Sequence, residues 1–297
     1  MFISVVMATY NGNKYIKEQL DSIKAQTMKP DEVLIIDDCS KDETKETIRH
    51  YLKENRLQNW TFIANKYNKG YSQNFIDAIN KSKGDIIFLS DQDDIWEIDK
   101  VERMIKAFEK FPEAELIVSD LQPMYMSGNA PRVNYQWIWK SRRITKKSSW
   151  IKPLRPGCAM CFKRILIERA EKYWFVGFPH DCLLWGNAVL HGTAYYINDK
   201  LLRFRRHENN ASNRGNHRID YRIEGMKTEL RMMSKYLEKC KDSEIVALIE
   251  NQKKLYGRRI KALKEKNILQ VISFLGGLHL YPRVRYWLTD VYYCVRK

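Results

Sequence analysis

The chain has 297 residues, 44% of them hydrophobic, which is enough for one large globular domain with an appended segment. Its six cysteines lack the short spacings of a disulfide-stabilised secreted domain, so we expect free thiols in a reducing cytoplasm. The formal net charge of +16 divides into −5 over residues 1–120, +12 over 121–214 and +9 over 215–297, and the acidic first part argues against a uniformly basic nucleic-acid-binding protein.

The first 120 residues alternate short apolar runs with segments of helical spacing. The opening run lacks the basic start and the length of a signal peptide or membrane anchor, and it predicts a first strand instead. The predicted strands, rich in Ile, Val, Leu or Phe, are Ile3–Ala8, Glu32–Ile36, Thr61–Ala64, Asp85–Leu89 and Leu116–Ser119. With helices between them, they predict an α/β fold: a Rossmann-like, mostly parallel sheet flanked by helices, with ligands at the carboxyl ends of its strands.

The pattern changes after residue 120. Residues 121–150 contain Pro, Gly, Trp and a basic cluster, which predicts a long functional loop region or a small subdomain. From about residue 220 to residue 266 the spacing predicts long charged helices, and the apolar run 268–281 is too short and too interrupted to span a bilayer. The basic charge fits an ordinary solvated surface as well as one that faces an anionic membrane or a diphosphate-bearing acceptor.

The strongest chemical signal is the segment SDQDD at residues 90–94, directly after the predicted strand IIFL. Its acids Asp91, Asp93 and Asp94 repel one another unless a cation lies among them. Mg²⁺ and Mn²⁺ prefer oxygen ligands and keep open positions for substrate phosphates. The segment therefore indicates a divalent metal that bridges protein carboxylates and a diphosphate, with a solvated acidic turn or helix N-cap as the alternative.

A second acidic pair, Asp37 and Asp38, follows the second predicted strand. An acid in this place of a doubly wound sheet typically bonds a ribose hydroxyl or a base N–H, and helix capping is the alternative. The chain contains neither the G-x-G-x-x-G pattern of dinucleotide binding nor the G-x-x-x-x-G-K-[ST] pattern of a P-loop. A nucleotide bound through acids and a metal is therefore favoured over either of those sites.

Taken together, ISVVMATYNG, LIIDDCSKDET, the stretch from Asn68 to Asn74 and FLSDQDDIW resemble glycosyltransferase family 2 with its GT-A fold. Further along, RPGCAMCFKR, PHDCLLW and LLRFRRHENNASN resemble the rhamnosyltransferase-like branch of that family in order and spacing. The resemblance covers residues 1–213. It implies a GT-A catalytic domain over 1–213, with a nucleotide-sugar-binding half (1–120) and an acceptor-side half (121–213), followed by a basic helical extension over 214–297.

The resemblance also implies roles for residues at matching positions. Asp181, in the HD pair that stands where many relatives have an ED pair, would be the catalytic base, although Cys182 replaces the aromatic residue that relatives often have next. Asp93 and Asp94 would bind Mn²⁺ or Mg²⁺ together with His207. The implied donor-binding residues are Ala8, Thr9, Tyr10, Asp38, Asn74, Asp91, Arg205 and Arg206. For each of the two arginines, an ordinary surface charge is the alternative.

These features together predict a metal-dependent inverting glycosyltransferase. It would move rhamnose or another hexose from a nucleoside-diphosphate sugar to a saccharide or lipid-linked acceptor in cell-surface polysaccharide synthesis. We expect it in the cytoplasm, held by its basic extension at the anionic inner face of the cell membrane, with no nucleic-acid partner. The main alternative is a nucleotidyltransferase acting on sugar phosphates, which leaves Asp181 and RFRRHENN without a role.

Overall fold

The computed structural model describes residues 1–127, 130, 132, 133, 135, 138–208, 210 and 219–295. Strands and helices alternate along its first part: β1 (Ile3–Thr9), α1 (Ile16–Lys24), β2 (Glu32–Asp37), α2 (Thr44–Glu54), β3 (Trp60–Ala64), α3 (Tyr71–Lys81), β4 (Ile86–Ser90), β5 (Ile95–Trp96), α4 (Lys100–Lys110) and β6 (Leu116–Tyr125). All five predicted strand segments are confirmed. The fifth continues well beyond its predicted end, and β5 was not predicted.

The second part is more irregular. Its strands and helices are β7 (Arg142–Arg143), β8 (Met160–Lys163), α5 (Arg164–Ala170), α6 (His180–Leu190), β9 (Ala194–Arg206), α7 (Ile219–Lys239), α8 (Ser243–Lys264), α9 (Ile268–Ile272) and α10 (Val284–Val295). Short 3₁₀ helices lie at Lys147–Ser149, Gly157–Ala159, Glu171–Tyr173 and Ser273–Leu280. The predicted helical extension is present, and its predicted boundary at residues 213 and 214 lies outside the described part of the chain.

Within the described residues, nine strands form one sheet in the order β3-β2-β1-β4-β8-β6-β9-β5, with β7 also paired to β9. The α/β fold with flanking helices is confirmed. Parallel pairing joins β1 to β2 and β4, β2 to β3, and β6 to β9. In contrast, β8 lies antiparallel between β4 and β6. A short run that is buried on both faces does not encode its direction, so the sequence could not predict this insertion.

The core lies on both faces of the sheet. Strand β4 is buried along its whole length, and α4 packs against the sheet through Val101, Met104, Ile105 and Phe108. Each such side chain stabilises the fold by about 1.5–3 kcal/mol when fully buried. This packing fixes where each strand ends, and therefore where the segments that follow the strands are held.

The extension packs on the catalytic part through polar as well as apolar contacts. Trp150 donates its indole N–H to the side-chain oxygen of Gln252 on α8 at 2.7 Å. The rings of Tyr173 and Tyr236 stack with centroids 4.1 Å apart. These contacts tie α7 and α8 to the segments around residues 147–173, which belong to the predicted acceptor-side half.

A buried ion pair joins α8 to α10. Nε of Arg259 donates to Asp290 at 2.6 Å, and both side chains are at most 1% exposed. The guanidinium also lies 4.4 Å from the ring centre of Tyr281 and 4.7 Å from that of Tyr256. Since a buried charge is stable only when paired, this contact determines how α10 docks.

Asp290→Ala should lower the free energy of unfolding by about 3–5 kcal/mol, because it leaves the buried guanidinium of Arg259 without its counter-charge. Urea denaturation of the full-length chain measures the change. Glu265→Ala is the matched control, since it removes only the exposed pair with Lys261 on α8. If Asp290→Ala unfolds at the same urea concentration as the wild type, the pair does not hold α10.

Candidate active site

The segments after β1, β2 and β4 meet at one edge of the sheet. The strand register pairs Thr9 with Asp37 and Met7 with Ser90, so both acidic segments begin beside the end of β1. The loop of residues 10–13 lies between them. The backbone N–H of Asn11 donates to Ser40 Oγ at 2.8 Å, and Tyr10 contacts the opposite acidic segment.

The first acidic pair supports loops. Asp37 is buried, accepts a hydrogen bond from Thr9 Oγ1 at 3.0 Å and caps the turn at the backbone N–H of Ser40 at 2.8 Å. Asp38 is also buried, and it accepts hydrogen bonds from the backbone N–H groups of Lys69 and Gly70, each at 2.8 Å. Asp37 therefore stabilises the turn before α2 without capping that helix, whereas Asp38 holds the loop that leads into α3.

Two of the expected donor-binding residues lie beneath the surface. Asn74 is fully buried, donates to the backbone carbonyl of Ile36 at 2.8 Å and accepts from Asn65 at 3.0 Å. Thr9 is 2% exposed. Both polar atoms of the Asn74 side chain are thus bonded within the protein, and its contact with the donor stays a prediction. Tyr10, in contrast, is 43% exposed at the same edge.

The three acids of the SDQDD segment point to different partners. Asp93 accepts hydrogen bonds from Asn210 at 3.0 Å and pairs with Nε2 of His207 at 2.9 Å. Asp94 accepts the backbone N–H of Arg205 at 2.9 Å through Oδ1. Its buried Oδ2 has no hydrogen-bond partner among the described residues. The segment therefore presents one buried carboxylate oxygen that is still unpaired.

A group of possible metal ligands surrounds that oxygen. One ligand atom each of Asp91, Asp94 and Cys158 lies within 4.8 Å of the others. Burial and the nearby charge of Asp93 raise the pKa of Asp91 to about 7 and that of Asp94 well above its usual range. A divalent cation would relieve this repulsion and satisfy the unpaired oxygen.

The donor types favour a hard cation. Burial raises the pKa of the Cys158 thiol well above its usual range, and a thiol is a softer donor than the oxygen ligands that Mg²⁺ and Mn²⁺ prefer. The two carboxylates are hard oxygen donors that suit Mg²⁺ or Mn²⁺. The structure thus groups Asp94, a predicted metal ligand, with Asp91, for which the sequence predicts donor binding. Asp93 and His207, for which the sequence also predicts metal binding, lie beside this group and are hydrogen-bonded to each other, and their role as ligands stays a prediction.

A buried lysine lies close to these acids, on the side of the protein interior. Lys100 is fully buried at the start of α4, donates to the backbone carbonyl of Cys158 at 2.6 Å and lies 4.3 Å from the ring centre of Trp96. Burial lowers the pKa of Lys100 to about 8, although the charges of Asp94 and Asp91 oppose that shift. Lys100 thus supplies a fixed positive charge on the protein side of the cluster.

The two arginines before His207 are buried, so the surface-charge alternative is wrong for both. Arg205 donates to the backbone carbonyl of Asp93 at 2.7 Å and to Glu18 at 2.6 Å. Arg206 lies 5.4 Å from the ring centre of Phe204. Arg205 therefore links the end of β9 to the acidic segment and to α1.

Asp181 lies on the other side of the same cluster. It is in the first turn of α6, where the backbone N–H of Cys182 donates to its carboxylate at 2.8 Å. Its charge contributes to the raised pKa of Asp91, so the two carboxylates share one electrostatic environment. Gly157 allows this approach, since a Cβ there would lie 3.0 Å from Nε2 of His180 and 3.3 Å from Cβ of Asp181.

His180 does not orient the predicted base. Its ring stacks on Phe75 with centroids 4.0 Å apart, and burial lowers its pKa to about 4, so the ring is neutral at physiological pH. Its Nδ1 has no hydrogen-bond partner among the described residues. His180 is therefore a packing residue at the start of α6.

Sequence reasoning missed three residues of the site: Glu18, Gln92 and Lys100. Lys100 had a detectable signal, because it precedes Met104 and Phe108 at intervals of four on the buried face of α4. Gln92 had no such signal in the sequence, because it lies between two acids. Glu18 had none either, because it occupies an ordinary exposed position of an amphipathic helix.

The geometry can now be compared with known proteins. Residues 4–170 match the family model described as Glycosyl transferase family 2. The chain belongs to this family. The resemblance seen in the sequence is thus confirmed, and the chain is a family 2 glycosyltransferase. RfbG of Shigella flexneri, a dTDP-rhamnosyl transferase, is 30% identical over 216 residues, which are 69% of this chain and 72% of RfbG.

Two solved structures share this fold. TarS of Staphylococcus aureus, residues 1–349 in complex with UDP-GlcNAc, superposes with a TM-score of 0.65 at 16% identity and covers 99% of this chain and 89% of its own. The mannosyltransferase PcManGT of Pyrobaculum calidifontis, in complex with GDP-Man and Mn²⁺, gives a TM-score of 0.58 at 19% identity over 99% of this chain and 84% of its own. At these identities the likeness shows the GT-A fold of this family 2 member.

Proposed function

We propose that this glycosyltransferase moves a hexose, with rhamnose favoured, from a nucleoside-diphosphate sugar to a saccharide or lipid-linked acceptor in cell-surface polysaccharide synthesis. The main support is the convergence of the acidic segment after β4, the loop after β1 and Asp181 at one edge of the sheet. RfbG uses a dTDP-rhamnose donor by its name, and the TarS and PcManGT structures contain UDP-GlcNAc and GDP-Man. A nucleotidyltransferase would give Asp181 no role.

On the donor side, Ala8 at the end of β1 and Tyr10 in the loop after it would face the nucleobase and ribose, with Tyr10 supplying an exposed ring. Asp38 would shape that pocket through the loop that it holds at Gly70. Arg205 and Arg206 would add positive charge near the diphosphate from the end of β9. Thr9 and Asn74 would support the pocket from below.

Asp91 and Asp94 are the residues that would hold Mn²⁺ or Mg²⁺, with Asp93 and His207 adjacent. When bound, such an ion supplies Lewis-acid stabilisation of the negative charge on the leaving diphosphate. The positive charge of Lys100 would hold the two carboxylates in place. Its position does not depend on the ion, because Lys100 is bonded to the backbone carbonyl of Cys158.

On the acceptor side, Asp181 would act as the base. In an inverting transfer the acceptor hydroxyl attacks the anomeric carbon from the face opposite the leaving nucleoside diphosphate, so no covalent enzyme intermediate forms. The carboxylate of Asp181 takes the hydroxyl proton as the new bond forms, which accelerates transfer by about 10²–10⁴-fold. The carboxylate lies in the first turn of α6, near the positive end of the helix dipole.

Asp181→Asn should leave nucleotide affinity nearly unchanged and reduce the transfer rate by at least ~10²-fold, because the amide keeps the shape of the side chain but cannot take a proton. Calorimetry with UDP and dTDP measures binding, and product formation measures transfer. Asp199→Asn is the control, since that carboxylate pairs with Arg103 away from the cluster. A mutant with near-normal transfer would place the base elsewhere.

Transfer should require a divalent metal, because Asp91 and Asp94 repel each other without one. EDTA should abolish turnover, and Mn²⁺ or Mg²⁺ should restore it. Asp94→Asn should weaken Mn²⁺ binding, measured by the paramagnetic resonance of free Mn²⁺, since it removes the unpaired buried oxygen. Full turnover in EDTA would contradict the metal assignment.

We also propose that the extension holds the enzyme at an anionic membrane, where a lipid-linked acceptor would be found. No helix within the described residues has both the length and the apolar character needed to cross a bilayer. One face of α10 is nevertheless exposed and apolar, formed by Val284, Leu288, Tyr292 and Val295. The acid of this helix, Asp290, is buried. The exposed face of α10 is therefore apolar, with the exposed basic residue Arg285 beside it.

A cleft of about 380 Å³ beside this region is also basic. Lys254 and Arg258 of α8 line it together with Gly276 and Gly277 of the following 3₁₀ helix. Leu269 is the most exposed apolar side chain nearby, at 77%. Basic residues near anionic headgroups contribute about 1 kcal/mol each to membrane binding. A second copy of this positively charged chain would be repelled by the same surface.

The full-length protein should sediment with vesicles of phosphatidylglycerol and phosphatidylcholine at low salt, and less so at high salt. The double variant Leu269→Glu, Leu288→Glu should lose this binding, because it places charges where apolar side chains meet the bilayer. Ile165→Glu on α5 is the control, since Ile165 is about as exposed as Leu288 but lies outside the extension. Equal sedimentation of the double variant would assign the face to another partner.

A further inference from the structure

The side chain of Gln92 connects the two loops that the proposed function assigns to the metal and to the nucleotide. Its Oε1 accepts the backbone N–H of Tyr10 at 2.8 Å, and its Nε2 donates to the backbone carbonyl of Tyr10 at 3.0 Å. One amide thus pairs with both backbone groups of one residue, as a neighbouring strand would. Each bond is modest, but the pair fixes both distance and orientation.

The opposite side of the same loop is anchored separately. The backbone N–H of Asn11 donates to Ser40, and that of Gly12 donates to Thr44 Oγ1 at 2.8 Å. These bonds hold the loop to the segment after β2, whereas Gln92 holds it to the segment after β4. Removing Gln92 would therefore detach the loop from the acidic cluster without detaching it from the rest of the protein.

Gly12 makes room for this contact. A Cβ at position 12 would lie 2.5 Å from Cδ of Gln92, which is closer than carbon atoms approach in folded proteins. The described glycines with positive φ are Gly70, Gly177 and Gly192, so the backbone at Gly12 would accept alanine without strain. A methyl group at position 12 would thus displace the Gln92 amide.

We propose that Gln92 is a positioning residue that couples metal binding to nucleotide binding by clamping the loop at Tyr10 to the segment that contains Asp91 and Asp93. This inference rests on the proposed function. The clamp gives a role to Gln92, a neutral polar residue between two acids, without assigning it a contact with metal or substrate. With the clamp in place, ordering of the acidic segment by a metal also orders the nucleotide loop, so each ligand strengthens the binding of the other.

The coupling is measured by titrating UDP and dTDP, with and without Mn²⁺, into four proteins. These are the wild type, Gln92→Ala, Gly12→Ala and the double variant. In the wild type, Mn²⁺ should strengthen nucleotide binding. In Gln92→Ala that enhancement should fall about tenfold, which corresponds to 1.4 kcal/mol. Gly12→Ala should show the same fall, because its methyl group displaces the same amide.

The double variant distinguishes the clamp from two unrelated defects. If both substitutions act through one contact, the double variant should be no worse than either single variant. Gln73→Ala is the matched control, since that glutamine bonds to Asp77 on α3 and touches neither loop. Effects of Gln92→Ala and Gly12→Ala that multiply in the double variant would overturn the proposal.

A ligand-free measurement separates this proposal from the proposed function. Hydrogen exchange at the Tyr10 amide should be about tenfold faster in Gln92→Ala and Gly12→Ala, with exchange in β1 and unfolding midpoints unchanged. Unchanged exchange at Tyr10 would overturn the clamp, whatever the ligands do. Faster exchange in the variants, with no effect of Mn²⁺ on nucleotide binding in the wild type, would instead overturn the metal assignment and the coupling.

Discussion

The mutual repulsion of carboxylates at one edge of the sheet is the constraint on which the rest of the site depends. Asp91, Asp93 and Asp94 follow one strand, and Asp181 approaches from α6. Burial of Asp94 within such a group favours the neutral carboxyl unless positive charge lies nearby. The protein provides part of that charge with Lys100 below and Arg205 beside the cluster. The remainder would come from a cation that arrives with the substrate.

Much of this arrangement was predictable from the sequence because it depends on local pattern. Continuous apolar runs predicted β1 to β4 and β6, and acids directly after such runs predicted the edge at which ligands bind. The position of Asp181 followed only from the family resemblance. Its place beside Asp91 depends on α6 approaching β4 across Gly157, a contact between segments far apart in the chain.

The parts that the sequence did not predict are those decided by tertiary packing. The insertion of β8 between β4 and β6 depends on how a long irregular segment returns to the sheet. Burial of Arg205, and the bonding of the Asn74 side chain within the protein, depend on neighbours from other elements. Residue type alone predicts polar side chains at a site, but it does not distinguish those that touch the ligand from those that hold its pocket.

Gly157 also has an implication for how such enzymes diverge. Gly157 has only a hydrogen atom in place of a side chain, which allows α6 to approach the end of β4 there. The contact of α6 with the backbone at Gly157 therefore sets the separation between Asp181 and the acidic cluster. The atoms nearest to Gly157 belong to Leu89, His180 and Asp181, and none belongs to residues 138–147. Under the proposed function, substitutions in residues 138–147 would change the acceptor-side surface and leave the contact at Gly157 intact, so one arrangement of catalytic residues would serve different glycans.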